Sequence, residues 1–217
     1  MRESGILFPV SSLPSRYGIG CVSKEAFEFV DFLEKSGQRC WQILPVGPTG
    51  FGDSPYQPFS AFAGNPYFIC LETLVEDGLL KQEDCDQVSF GENPERVDYG
   101  ALYQNRFPLL RKAYEAFLEK KLDEEPEYLA FLKKESFWLE DYALYMAIKD
   151  DQGGKNWLDW ETPYRTREAA ALKEAQKRLA DEIGFYCFQQ FCFDTQWNSL
   201  HAYAADKKVK IIGDLPF

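Results

Sequence analysis

"SKEAFEFVDFLEKSGQRCWQILPVGP", Ser23 to Pro48, is the stretch that decides the fold. Ser23 stands at an N-cap position, Glu25 falls in the first turn, and Phe27, Val30 and Leu33 recur at helical spacing before Gly37 stops the run. "RCWQILPVGP" then reads as a buried strand closed by Pro45 and Pro48. Upstream, the apolar run Ile6 to Val10 in "GILFPVSSLPS" reads as an earlier buried strand that delivers a loop at Ser11. Strand, helix, strand in this order is a βαβ unit, whose parallel strands connect right-handed.

Working outward, the stretch Gly47 to Phe68, "GPTGFGDSPYQPFSAFAGNPYF", has no period that a helix or strand could use, yet carries six aromatic rings among four prolines and four glycines. Beyond it the pattern turns helical. "EPEYLAFLKKESFWLEDYALYMAIKD" has apolar residues at three and four spacing, and "DDQGGKNWLDWETP" reads as a loop whose Trp157 and Trp160 form a satellite hydrophobic cluster. A long helical pattern returns from Thr166 to Lys208, with Leu179, Ile183, Cys187 and Phe191 every fourth residue and a bend expected near Gly184. "VKIIGDLPF" closes the sequence as a third parallel strand presenting Asp214 at its C-terminal end.

The expected class is α/β: a partial (β/α)8 TIM barrel, its first three strands, with a largely helical inserted subdomain. The expected organisation is residues 1–67 as the first βαβ unit with its active-face loop, 68–166 as the inserted helical subdomain, and 167–217 as a barrel helix and third strand. Loops opening at Ser11, Gly47 and Asp214 then converge on one face. Flat aromatic rings suit the C–H faces of a sugar, hydroxyls and amides suit its oxygens, and prolines and glycines fix the loop beforehand.

The 217 residues include 24 Lys and Arg against 35 Asp and Glu, a formal charge of -11 that repels nucleic acid and anionic membrane surfaces. The opening "MRESGILFPVSS" has too short an apolar stretch for a signal peptide, so a cytoplasmic protein with six reduced, mostly buried cysteines is expected. The cysteines show no metal-ligand spacing and the single histidine, His201, reads as a surface or packing residue, so no metal is expected.

"LFPVSSLPSRYGIG", "WQILPVGPTGFGDSPYQPFSAFAGNPYFI" and "IIGDLP", with "RVDYGALYQ" and "ESFWLEDYALYMAIK" between them, closely resemble the N-terminal part of the amylomaltases, the 4-α-glucanotransferases also called disproportionating enzymes. The resemblance implies transfer of α-1,4-glucan segments to glucose or maltooligosaccharide acceptors with retention, through a carboxylate nucleophile and a carboxylic acid/base about 5 to 5.5 Å apart. It implies no cofactor, and it puts both catalytic carboxylates after later strands, beyond Phe217, so that these residues alone are expected to be inactive. Tyr56 matches the tyrosine that stacks under the sugar at the cleavage point. Asp214 matches the aspartate of the first shared motif, a sugar-binding or site-organising residue. Ser54 and Asp53 either hydrogen-bond sugar or hold the loop. Phe51 and Tyr103 suggest a second glucan contact, Phe51 standing where a tyrosine is common. The absence of a Ser- and Arg-rich leader favours a bacterial cytoplasm over a plastid. The alternatives are a non-catalytic α-glucan-binding protein and another retaining glycosidase of the same barrel type.

Overall fold

The computed structural model describes residues 2–50, 52–93 and 95–216. Three short strands, β1 (Gly5–Leu7), β2 (Cys40–Gln42) and β3 (Lys210–Ile212), form a parallel sheet in the order β1-β2-β3. Ile6, Trp41 and Ile211 stand in one register row, and Leu7, Gln42 and Ile212 in the next. Helix α1 (Lys24–Lys35) supplies the crossover between β1 and β2. It buries Ala26, Val30 and Leu33, and Gly37 at φ 74 closes it in a left-handed conformation that a side chain would strain. Ser23 does occupy the N-cap position, but its hydroxyl donates to the Glu25 carboxylate at 2.5 Å rather than accepting from a helix N–H.

The strands are shorter and less buried than expected. Pro9 lies just past β1, and the chain turns there into a 3-10 helix at Val10–Ser12; Pro45 likewise bars any long extension of β2. Trp41 is fully buried against Phe29, ring centroids 4.9 Å apart, and its indole N–H donates to the Phe8 carbonyl at 2.7 Å. The alternate row faces the other way: Leu7 is 57% exposed and Ile212 44%. A strand's two faces alternate, so only the side under α1 is covered by described residues.

The chain divides into two compact units, one of Met1–Lys121 with Cys192–Phe217 and one of Leu122–Phe191. The first holds the sheet, α1, α2 (Leu71–Glu76), α3 (Gln82–Asp86) and α4 (Tyr99–Glu119). The second holds α5 (Pro126–Asp151), α6 (Thr162–Arg165) and α7 (Ala169–Arg178). Helix α8 (Ala180–Asp206) gives its opening residues to the second unit and the remainder to the first. In the second unit Leu144, Ile148, Trp160 and Ala175 form a core joined by Leu172, Leu179 and Ile183, so Trp160 fills the satellite cluster while Trp157 stays 47% exposed. Tyr128 and Phe131 close on Phe191, with ring centroids 5.2 and 5.5 Å apart.

The long helical pattern breaks at Leu179 (φ -104, ψ 21), not near Gly184, which lies inside α8. The charges account for it. Lys177 and Arg178 end α7 and Asp181 and Glu182 open α8, each sign placed where the helix dipole favours it. Among the described residues no helix is long and apolar enough to cross a membrane.

Candidate functional site

The loop after β2 is held by its own polar side chains. The Ser60 hydroxyl accepts from the Phe62 and Ala63 N–H groups, and the Asn65 side chain accepts from Tyr67 N–H while the Asn65 backbone N–H reaches the Val46 carbonyl. Gly64 is required for a close approach, since a Cβ there would stand 2.1 Å from the Phe193 ring. Asp53 takes the left-handed region at φ 54, and the Ser54 hydroxyl accepts from Tyr56 N–H at 3.3 Å, so Ser54 braces the turn that presents Tyr56.

Tyr56 and Asp214 meet. The Tyr56 hydroxyl donates to the Asp214 carboxylate at 2.7 Å, and the other carboxylate oxygen accepts from Leu215 N–H at 2.9 Å. The loops after β2 and β3 are thereby joined at the strand ends. That bond raises the Tyr56 phenol above its ordinary value, because losing its proton would set two anions side by side. The arrangement fixes the ring's orientation.

A second group gathers around Asp53. Tyr67 lies 6.2 Å from the Tyr99 ring and 5.8 Å from Phe107, and Tyr103 lies 5.6 Å from Phe107. Burial, then the nearby Asp53 charge, push the Tyr67 hydroxyl up to about 12 and raise that of Tyr99. Burial likewise raises the Asp53 carboxyl. Tyr103 is 67% exposed, so its ring is presented to solvent. Tyr99 also lines an open cavity of about 1160 Å³ between the loop after β1, including Arg16 and Tyr17, and the segment before α4, including Asp86 and Glu92.

Sequence reading singled out Tyr56, Asp214, Asp53, Ser54 and Tyr103; it passed over Tyr67 and Tyr99. The missed signal is the spacing of Tyr99, Tyr103 and Phe107 along α4, one ring every fourth residue, which stacks aromatic groups on one helical face. Phe51 lies outside the described residues. Among the described residues, neither Asp53 nor Asp214 belongs to a set of three His, Cys, Asp or Glu side chains close enough to share a metal ion. His201 is exposed on α8.

A parallel α/β unit with a tyrosine–carboxylate pair and exposed rings at its strand ends defines a class of protein that presents a polar and aromatic face beside its sheet. The chain belongs to the 4-alpha-glucanotransferase family, whose model matches residues 8–217. It is 49% identical over 216 residues to a 4-alpha-glucanotransferase of Thermus thermophilus, covering 99% of this chain and 42% of that protein. A Clostridium butyricum 4-alpha-glucanotransferase is 44% identical, with 95% of this chain and 42% of that protein covered. The amylomaltase of Streptococcus agalactiae, solved in complex with acarbose, is similar in structure with a TM-score of 0.96 and 41% identity, over 99% of this chain and 43% of that one. The chain thus spans less than half the length of the relatives it matches.

Proposed function

We propose that the whole protein is a 4-α-glucanotransferase that cleaves an α-1,4-glucan and passes the fragment, with retention, to glucose or a maltooligosaccharide in the bacterial cytoplasm. The observation that carries this reading is the 2.7 Å hydrogen bond from Tyr56 to Asp214. It joins two strand-end loops, so the pair defines one wall of a sugar site rather than two separate loop residues. The similar amylomaltase was solved with acarbose, and we assign the same class of ligand to this face.

In this reading the three parallel strands are the first three of a (β/α)8 barrel and residues 68–166 are a helical insertion between barrel elements. Tyr56 lies under the ring of the sugar at the cleavage point, its hydroxyl tied to Asp214 so that the aromatic face, not the edge, meets the sugar's C–H surface. Asp214 holds Tyr56 and accepts from sugar hydroxyls. Asp53 and Ser54 shape the turn beside them. The nucleophile and the acid/base belong to later strands, and water exclusion while the acceptor arrives gives transfer over hydrolysis. Tyr103, with Tyr67 and Tyr99 behind it, is a further contact along a long glucan.

The test is transfer from maltotriose by the whole protein, read as glucose release together with a ladder of longer oligosaccharides. Tyr56→Ala is expected to slow the ladder at least about tenfold, equivalent to about 1.4 kcal/mol of transition-state stabilisation. Tyr56→Phe, which keeps the ring and deletes the bond to Asp214, is expected to fall between wild type and alanine. Unchanged transfer in a folded Tyr56→Ala protein would remove Tyr56 from the site.

A further inference from the structure

At the far ends of the loops after β1 and β2, the first unit buries a chemical group that the proposed glucan transfer does not use. Cys21 is 1% exposed and Cys70 2%, and their sulfurs and a Glu72 carboxylate oxygen all lie within 4.8 Å of one another. The Cys70 thiol faces the Glu72 carboxylate at 3.2 Å. Arg106, fully buried on α4, gives one Nη to the Tyr17 carbonyl at 3.3 Å and the other to the Ile69 carbonyl, and its Nε has no hydrogen-bond partner among the described residues. Its charge acts on Cys21, Cys70 and Glu72. A buried guanidinium is expensive unless anionic character stands beside it.

We propose that Cys21 and Cys70 are a redox-active dithiol that closes to a disulfide when a hydroperoxide reaches it, with Glu72 as the base that takes the Cys70 proton. The line of groups sets the direction of the chemistry: the Cys70 thiol donates to Glu72, and the Cys21 sulfur stands beside Cys70 as the second thiol. Glu72 is only half-buried, so the row opens to solvent at its basic end, where a molecule as small as hydrogen peroxide can enter. In the first step the Cys70 sulfur attacks one peroxide oxygen. An S–O bond forms, the O–O bond breaks, and the departing oxygen takes a proton and leaves as water or an alcohol. In the second step the Cys21 sulfur attacks the Cys70 sulfenic acid; the S–S bond forms, the S–O bond breaks, and hydroxide leaves with the Cys21 proton as water. Two thiols and one hydroperoxide thus give one disulfide, one water or alcohol from the first step and one water from the second.

The other buried thiols differ in kind. Burial pushes Cys85 up to about 11 and Cys187 up to about 12, and raises Cys192 further; within the pair the neighbouring Cys21 lowers Cys70, while Cys21 itself is held well above its ordinary value by Cys70 and by burial. A divalent metal is the less fitting occupant, because it would have to sit beside the Arg106 cation. Closing the bond would tie the end of the loop after β1 to the end of the loop after β2, since Val22 N–H already meets the Phe68 carbonyl there.

The experiment treats the purified protein with hydrogen peroxide, alkylates the remaining thiols after denaturation, and maps the cysteines by mass spectrometry. The expected product is a Cys21–Cys70 linked peptide pair, with Cys187 and Cys192 recovered alkylated. Glu72→Gln is expected to slow its formation at least about tenfold, and Cys21→Ser to leave a Cys70 sulfenic acid that dimedone traps. Recovery of Cys21 and Cys70 as two alkylated thiols while other cysteines oxidise overturns the proposal. So does a linked pair that forms equally fast in folded Glu72→Gln, for the assigned base. Because the wild-type map decides by itself, a variant that fails to fold does not shield the idea.

Discussion

Tyr56 and Gly64 lie in one loop and do opposite jobs, the first presenting a ring and the second making room for one. A Cβ at Gly64 would meet the Phe193 ring, which is itself stacked on Trp197 with centroids 6.0 Å apart and cannot swing aside freely. Gly64→Ala is therefore expected to destabilise the protein by ~1–3 kcal/mol of overpacking, seen as a thermal midpoint several degrees lower. A midpoint equal to wild type would mean that Phe193 yields without cost. Tyr103 makes the opposite kind of prediction, because its exposed ring touches little that folding needs. Tyr103→Ala is expected to weaken binding of long amylose to the whole protein while sparing maltotriose and leaving the midpoint alone; equal loss on both ligands would remove Tyr103 as a separate contact for long chains. Of these residues, Tyr56 and Asp214 were legible as candidates in the sequence, but their hydrogen bond was not, because nothing local couples two positions so far apart in the chain. Gly64 was legible only as one more loop glycine; its constraint comes from a ring on α8.

At the scale of elements, α5 and α7 are joined by a two-pronged ion pair, Arg178 to both Asp151 oxygens at 2.6 and 2.8 Å. These hydrogen bonds hold the Asp151 carboxyl below its ordinary value. A depressed carboxylate stabilises the fold fully above its unfolded value and loses that contribution as pH falls through the folded one. Asp151→Asn is expected to be less stable than wild type at about pH 7, by under about 1 kcal/mol because Arg178 is substantially exposed. In urea unfolding the gap should narrow as pH falls below the ordinary carboxylate range and close once wild-type Asp151 also takes up a proton; a gap independent of pH would assign the effect to packing. The βαβ order was legible because α1 carries its own stop at Gly37 and because prolines bound both strands. The α7–α8 break was misplaced because Gly184 looks like the weak point, although a buried helix tolerates a glycine at a cost of about 1 kcal/mol. The run from Lys177 to Glu182, basic then acidic, was the better marker. The exposed rows of β1 and β3 were not legible, since an apolar residue in a strand does not announce which side of the sheet is covered.

For the molecule as a whole, the first unit is made of two pieces of chain, Met1–Lys121 and Cys192–Phe217, with the entire second unit written between them. During synthesis β1, α1 and β2 can assemble from neighbouring sequence as soon as they emerge, whereas β3 must wait for the intervening residues. The Tyr56–Asp214 contact spans 158 positions, and closing so long a loop comes late because its entropy is lost before the contact returns anything. Within these residues the βαβ scaffold can therefore form before the Tyr56–Asp214 contact closes. A nascent chain whose sheet is half built still lacks the carboxylate that holds the Tyr56 hydroxyl, so the orientation of that ring is set only once β3 has joined the sheet.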